Sequence, residues 1–170
     1  VKAGVFCVLK VVVYIFGIDT LRKSGQSDWL VFMASFTILT ASIVAMMQDN
    51  LKKRLAYSTV SQLSYIVLAA ALATQASVIG GGMHIAMHAA GKITLFFCAG
   101  AIYVAHHKSE ISQLDGLGHK MPFTFAAFLI GSLSIIGLPP FGGVWSKWMI
   151  GVGALDAGYT LAVAVLMISS

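Results

Sequence analysis

Residues 29–48 (WLVFMASFTILTASIVAMMQ) run for twenty positions without a charged side chain. A helix rises about 1.5 Å per residue, so a run of that length spans the roughly 30 Å hydrocarbon core of a bilayer. The remainder of the chain repeats the pattern. Of 170 residues, 58% are hydrophobic and 10% are charged, with a mean hydropathy of +0.88. An ordinary soluble domain carries about 25% charged residues, so there are too few charges here to cover a water-facing surface. A soluble enzyme, a disordered tail and a nucleic-acid binder are poor readings, despite the net charge of +5. Cys7 and Cys98 both stand in apolar runs. They read as small core residues rather than a disulfide framework or a metal site.

The apolar runs organise residues 1–170 as an all-α, polytopic transmembrane bundle of about six segments, one of them broken. Residues 1–17 are apolar apart from Lys2 and Lys10, and residues 18–28 (IDTLRKSGQSD) form a polar loop. The span 29–48 leads into the basic turn 49–54 (DNLKKR). A third span covers 55–74. A short turn near Gln75 precedes the fourth, 77–104, and residues 105–121 form the longest loop. The fifth span, 122–151, is interrupted, and residues 158–170 begin a sixth. Strand readings fail because the runs are too long and too continuous. Val1 already lies inside an apolar stretch, the closing LAVAVLMISS is shorter than a full span, and no signal peptide is recognisable. The expectation is an internal segment of a longer protein, cut within a helix at both ends. Three basic residues against one acid in DNLKKR put that turn on the cytoplasmic side by the positive-inside rule. The loop 105–121, two helices later, then shares that side.

All six acids (Asp19, Asp28, Asp49, Glu110, Asp115, Asp156) fall in expected loops, whereas Lys2, Lys10, Lys92 and Lys147 fall in spans. An intramembrane charge costs at least about 2.5–3.5 kcal/mol on insertion scales and usually faces a cavity or a partner. Lys2 and Lys10 have a bland alternative, snorkelling to an interface. The fourth span carries HIAMHAAGK, with His84, His88 and Lys92 at i, i+4 and i+8 on one stripe of the helix. Histidine changes charge near neutral pH, so a row of such groups can pass protons along a hydrated path. A lone histidine there would read as a satisfied core residue; three aligned titratable groups in an apolar helix favour the relay. Zinc binding lacks a third suitable ligand.

The fifth span carries GLPPFGGVWSK, residues 137–147. Pro139 and Pro140 remove backbone donors, and Gly137, Gly142 and Gly143 loosen the chain around them. The expectation is helix to about Ile136, irregular backbone across 137–143, and helix again by Trp145. A broken helix in a membrane is tolerated only where it is packed in protein or lines a cavity, so the break is expected to face inward and be hydrated. The alternative is a simple proline kink; Lys147 just beyond tips the balance. Trp145–Ser146 and the YSTVSQ run (57–62) read as packing and hydrogen-bonding positions rather than relay groups. Met46, Met47 and Met83 read as core or lipid-facing.

Three stretches in order, DNLKKRLAYSTVSQLSYIVLA, HIAMHAAGKITLFFCAGAI and LDGLGHKMPFTFAAFLIGSLSIIGLPPFGGVWSKWMI, closely resemble the antiporter-like proton-translocating membrane subunits. These occur in respiratory complex I and in multisubunit Mrp-type cation/proton antiporters, and the resemblance covers essentially the whole chain. The opening VKAGVFCVLKVVVYIFG is most similar to the D-type subunits of the Mrp group. The resemblance implies about fourteen helices in two inverted five-helix repeats, each with one broken helix. It places residues 1–170 from the eighth helix to the thirteenth, hence most of the second repeat, the half-channel usually linked to the side away from the cytoplasm. Lys2 matches the lysine joining the two half-channels and Lys92 the central lysine of the second, with His84 and His88 as its relay. Lys147 matches the terminal lysine or glutamate of the broken helix. The glutamate–lysine pair of the first half-channel has no counterpart in these residues.

The implied function is proton conduction in a multisubunit Na+/H+ antiporter, or alternatively in complex I or a membrane-bound hydrogenase. The resemblance further implies other membrane subunits and the lipid bilayer as partners, a multi-pass location in a bacterial cell membrane, and protons as cargo with Na+ as a further candidate. It implies no cofactor, since no flavin, iron–sulfur or quinone chemistry resides in such a subunit even where the complex is an NADH dehydrogenase. Two readings from other classes compete. A non-conducting scaffold would tolerate apolar residues at Lys92 and Lys147, and a substrate transporter would want an internal carboxylate or a substrate-shaped polar pocket.

Overall fold

The computed structural model describes residues 2–25 and 27–170. Val1 and Gln26, assigned above to the first span and first loop, lie outside that set. The described chain is helical almost throughout. Helix α1 (Lys2–Lys10) continues into a wider, π-type winding over Val11–Phe16, and α2 (Ile18–Ser24) follows. Then come α3 (Asp28–Met47), α4 (Leu51–Ala71), α5 (Gln75–His106), α6 (Leu117–Lys120), α7 (Pro122–Ile136), α8 (Gly143–Asp156) and α9 (Thr160–Ser169). Helices α3 and α5 are each long and apolar enough to cross a membrane. The polar loop 18–28 and the long loop 105–121 are less irregular than expected. The first holds α2; the second holds a 3₁₀ turn at Ile111–Gln113 and α6.

Local chemistry sets the helix ends. The Asn50 side chain accepts from the Lys53 amide at 3.1 Å, capping α4. Thr74 and Ser77 form a reciprocal capping box that starts α5. Pro122 takes the first turn of α7, where its missing N–H costs nothing.

Helix α4 is the hub. It packs on α1, α3, α5 and α8, while α5 also lies along α7 and α8, and α9 bridges α3 and α8. Tyr65, Ile66, Leu68, Ala69 and Ala70 are wholly enclosed. Lipid is as apolar as leucine, so close packing rather than escape from water holds such helices together. Small residues permit it. A Cβ at Gly80 would sit 2.9 Å from the Ile150 amide nitrogen, and one at Gly153 would sit 2.5 Å from Thr74 Oγ1. The outward faces of α1, the π-type winding after it and α3 are apolar and exposed, including Phe6, Tyr14, Phe16, Trp29, Phe32 and Phe36. Cys7 lies on that outward face and Cys98 is buried, both as free thiols. Cys7 is therefore not the core residue expected, because the helix turns its Leu9 side, not its Cys7 side, onto α4.

The turns 49–54 and 105–121 meet at one end of the bundle, as the loop count expected. The Leu51 amide donates to the Ser109 carbonyl and the Ile111 amide to the Asp49 carbonyl, each at 2.9 Å, around an antiparallel Asn50–Glu110 bridge. The Asp49 carboxylate accepts from the Ser112 amide and hydroxyl, at 3.1 and 2.7 Å. Those bonds, the hydroxyl's first, hold its carboxyl below the ordinary value of 3.8. At the opposite end the Tyr159 hydroxyl donates to the Asp28 carboxylate, and Arg22 donates to the Asp156 carbonyl.

Candidate functional site

Helix α5 presents His84, His88 and Lys92 to the bundle interior, and all three are buried. The 3.6-residue repeat puts i, i+4 and i+8 on one face, and α4, α7 and α8 cover that face. The His84 and His88 rings stack with centroids 5.8 Å apart and planes 15° apart. Lys92 continues the stripe, but its ammonium turns to α4. It donates to the Leu55 carbonyl at 3.1 Å and to Ser58 Oγ at 3.0 Å. Only 3% of Lys92 is accessible, and neither partner carries charge. Both ring nitrogens of His88 and Nε2 of His84 are buried without a hydrogen-bond partner among the described residues. Buried polar atoms of this kind are served by ordered water.

The broken helix is where the sequence placed it. Helix α7 ends at Ile136, Gly137 takes the left-handed conformation with φ 88°, and α8 starts at Gly143. The Pro139–Pro140 bond is cis. The Gly137 and Leu138 amides both return to the Leu133 carbonyl, at 3.1 and 3.2 Å, closing the end of α7. A Cβ at Gly143 would fall 2.0 Å from the Ser134 carbonyl oxygen, so only glycine lets α8 begin there. Orientation departs from expectation: Leu138, Pro139 and Pro140 lie on the outer surface, and Gly143 is the buried side of the break. On the inner side the Lys147 ammonium reaches back to the Ile136 carbonyl, at 3.0 Å, and so fills one of the orphan acceptors itself. A cation at that point also complements the negative end of the α7 dipole. Lys147 further donates to Ser170 Oγ at 2.9 Å and lies 5.5 Å from the Tyr65 ring centroid.

Tyr65 and Ser146 join the two lysine regions; the sequence marks Ser146 only as a packing and hydrogen-bonding position and does not mark Tyr65. The Tyr65 ring meets His84 edge-on at 5.6 Å, and its hydroxyl pairs with Ser169. Ser146 Oγ lies 3.0 Å from His84 Nδ1. Ser58 and Ser146 were assigned hydrogen-bonding roles from their polarity; that they hold the lysine and the histidine depends on which face of α4 and α8 meets α5.

Lys2 is half-buried at the start of α1, whereas Lys10 is exposed, with its ammonium 5.3 Å from the Phe6 ring and 5.9 Å from the Tyr14 ring. Leu9 packs beside Gly81, and α1 runs antiparallel to α5. Seven residues along each helix, about 10 Å, bring Lys2 and His88 to the same depth. Beside Lys92 opens a cavity of about 730 Å³, lined among others by Arg54, Ser58, Ser61, Gln62, Asp115 and Ser170. It links the Lys92 ammonium to the loop end of the bundle and to the neighbourhood of Lys147. The Ser42 and Ser61 hydroxyls pair at 2.7 Å on its wall.

A helical membrane bundle with a broken helix and a buried Lys/His line is the class these features define. The whole of residues 1–170 matches the family described as NADH:quinone oxidoreductase/Mrp antiporter, transmembrane, and the chain belongs to that family. It is 43% identical over 139 residues to NADH-quinone oxidoreductase subunit N of Desulforudis audaxviator, covering 82% of this chain and 28% of that protein. It is 37% identical over 160 residues to NADH-quinone oxidoreductase subunit L of Rickettsia bellii, covering 94% and 23%. Among solved structures, a chain of an archaeal membrane-bound sulfane sulfur reductase superposes with TM-score 0.89 at 31% identity, covering 99% of this chain and 34% of that one. A chain of the Mrp complex from a Dietzia species superposes with TM-score 0.88 at 30% identity, covering 99% and 31%. The chain thus spans about a quarter to a third of the length of these relatives.

Proposed function

We propose that Lys2, His84, His88, Lys92 and Lys147 form an intramembrane proton relay, and that residues 1–170 are most of the second of two inverted repeats in a longer subunit. The observation that carries this reading is Lys92: a buried ammonium that pairs with no acid among the described residues, held by one carbonyl and one hydroxyl, beside a largely apolar cavity that also holds Arg54, Ser61, Gln62 and Asp115. A lysine kept in a membrane without a counter-ion is costly, and a structural role would be served more cheaply by an apolar residue. Water bridges the gaps between the relay members.

The parent assembly is a multisubunit complex in a bacterial cell membrane, with the 49–54 and 105–121 turns facing the cytoplasm. Other membrane subunits and lipid cover its apolar faces, and no redox step falls to this chain. Two assemblies fit. The opening segment and the Dietzia fold match support a Na+/H+ antiporter of the Mrp type. The respiratory subunits N and L, at 43% and 37% identity, support a proton-pumping complex instead.

The test is proton uptake by sealed vesicles carrying the full-length subunit in its assembled complex. Lys92→Ala should reduce coupled transport at least about a hundredfold, the lower range for loss of a positioned proton-transfer group, with the complex still assembled. His84→Ala and His88→Ala should each cost less, because water can bridge one missing member. Wild-type rates in Lys92→Ala would overturn the relay and leave the scaffold reading.

A further inference from the structure

Ser146 has one hydrogen and two contacts. Its Oγ lies 3.0 Å from the Gly143 carbonyl oxygen and 3.0 Å from His84 Nδ1. The carbonyl can only accept. If the hydroxyl gave its hydrogen to the histidine, two bare oxygens would face each other at 3.0 Å in a wholly enclosed site. With the hydrogen on Gly143 and a proton on Nδ1, both contacts are hydrogen bonds. The hydroxyl count therefore assigns the tautomer. We propose that Ser146 is a positioning residue that locks His84 as the Nδ1–H tautomer, leaving Nε2 as the one atom at which His84 takes and returns a proton.

This inference rests on the proton-relay reading and changes its route. A proton arriving at Nε2 gives an imidazolium with both nitrogens protonated. For it to continue through the ring, Nδ1 would have to release its proton to Ser146 Oγ, which would then pass its own hydrogen to the Gly143 carbonyl. A backbone carbonyl does not hold a proton, so that wire ends. His84 is then a side store, filled and emptied through Nε2, and protons do not reach Lys147 through Ser146. Around His84, Tyr65 from α4 offers a ring edge, His88 from α5 a stacked ring and the Gln62 backbone of α4 a further polar neighbour, while Lys147 from α8 spends its donors on Ile136, Ser170 and the Tyr65 face. His88, with both nitrogens unpartnered, carries no such lock.

The test is ¹⁵N-histidine solid-state NMR on the full-length protein in its reconstituted complex, at alkaline pH where the imidazole is neutral. His84 is identified by subtracting the His84→Gln spectrum. The expected signature is a protonated Nδ1 and an unprotonated Nε2. Ser146→Ala should give mixed tautomers and slow coupled transport about fivefold, the factor one net hydrogen bond is worth. Ser146→Thr, which keeps the hydroxyl, should restore both. A protonated Nε2 in the wild type overturns the proposal, and that spectrum decides even if Ser146→Ala does not assemble. Unmixed Nδ1–H or undiminished transport in Ser146→Ala also overturns it. Full transport in Lys92→Ala with the expected His84 spectrum would remove the relay and leave the tautomer assignment standing, so the two failures are distinguishable.

Discussion

Lys92 and Lys147 solve the same problem in different ways. Among the described residues neither ammonium pairs with a carboxylate, and each rests on a backbone carbonyl and a serine hydroxyl. Such neutral partners steady the charge without trapping it, as a fixed ion pair would. Ser58 tests that balance, since it supplies one of the two bonds to Lys92. Ser58→Ala should reduce coupled transport about fivefold, from the loss of one hydrogen bond worth roughly 1 kcal/mol. The effect should stay well below that of Lys92→Ala, as read in the same vesicles. The lysines and histidines were legible in the sequence because they break an apolar pattern. Ser58, Ser146 and Tyr65 were not, because serines and tyrosines are common in membrane helices and nothing in their spacing says which one faces a lysine.

Two elements carry predictions of their own. In the broken helix, the two prolines forbid a continuous ladder of bonds from α7 to α8, and Lys147 occupies an acceptor that this frees. Replacing Pro139 and Pro140 together with alanine should let α7 run on past Ile136. Lys147 would then shift by a substantial part of a turn, and coupled transport should fall sharply while expression persists. Retention of the helix break in a structure of that variant, or unchanged transport, would count against this account. At the loop end, Asp49 clasps the two turns through Ser112. Its folded-state value is depressed, so its contribution is present above the ordinary 3.8 and lost as pH falls through the lowered value. In hydrogen exchange, Asp49→Asn should weaken protection of the Leu51 and Ile111 amides at about neutral pH. The wild type should lose the same protection only in strong acid.

For the molecule as a whole, the clasp fixes that the 49–54 and 105–121 turns share one side, and the proposed orientation, which follows from the positive-inside rule, puts that side in the cytoplasm. In right-side-out vesicles of a host lacking other reactive thiols, cysteines placed at Lys53 and Lys108 should both resist a membrane-impermeant thiol reagent, whereas one at Lys23 should react. Labelling at Lys53 and Lys108 with Lys23 protected would invert the orientation. One labelled without the other would contradict the clasp.

The sequence by itself determined the class of fold. Continuous apolar runs leave no alternative to membrane helices, since backbone polar groups in lipid must be satisfied within the segment. It also determined the position of the break, because proline chemistry is local, and it singled out the relay candidates, because a charge in an apolar span needs a reason. The helix inside loop 18–28 and the outward side of Cys7 escaped it, since short polar helices and single small residues carry little periodic signal. Tertiary structure alone decided what each candidate touches. Lys92 turns away from its own helix to α4, Lys147 seals the end of α7, and Ser146 meets His84 across α5 and α8. These contacts join residues up to 62 positions apart, and their geometry comes from how closely glycine-bearing helix faces approach, which no single segment encodes.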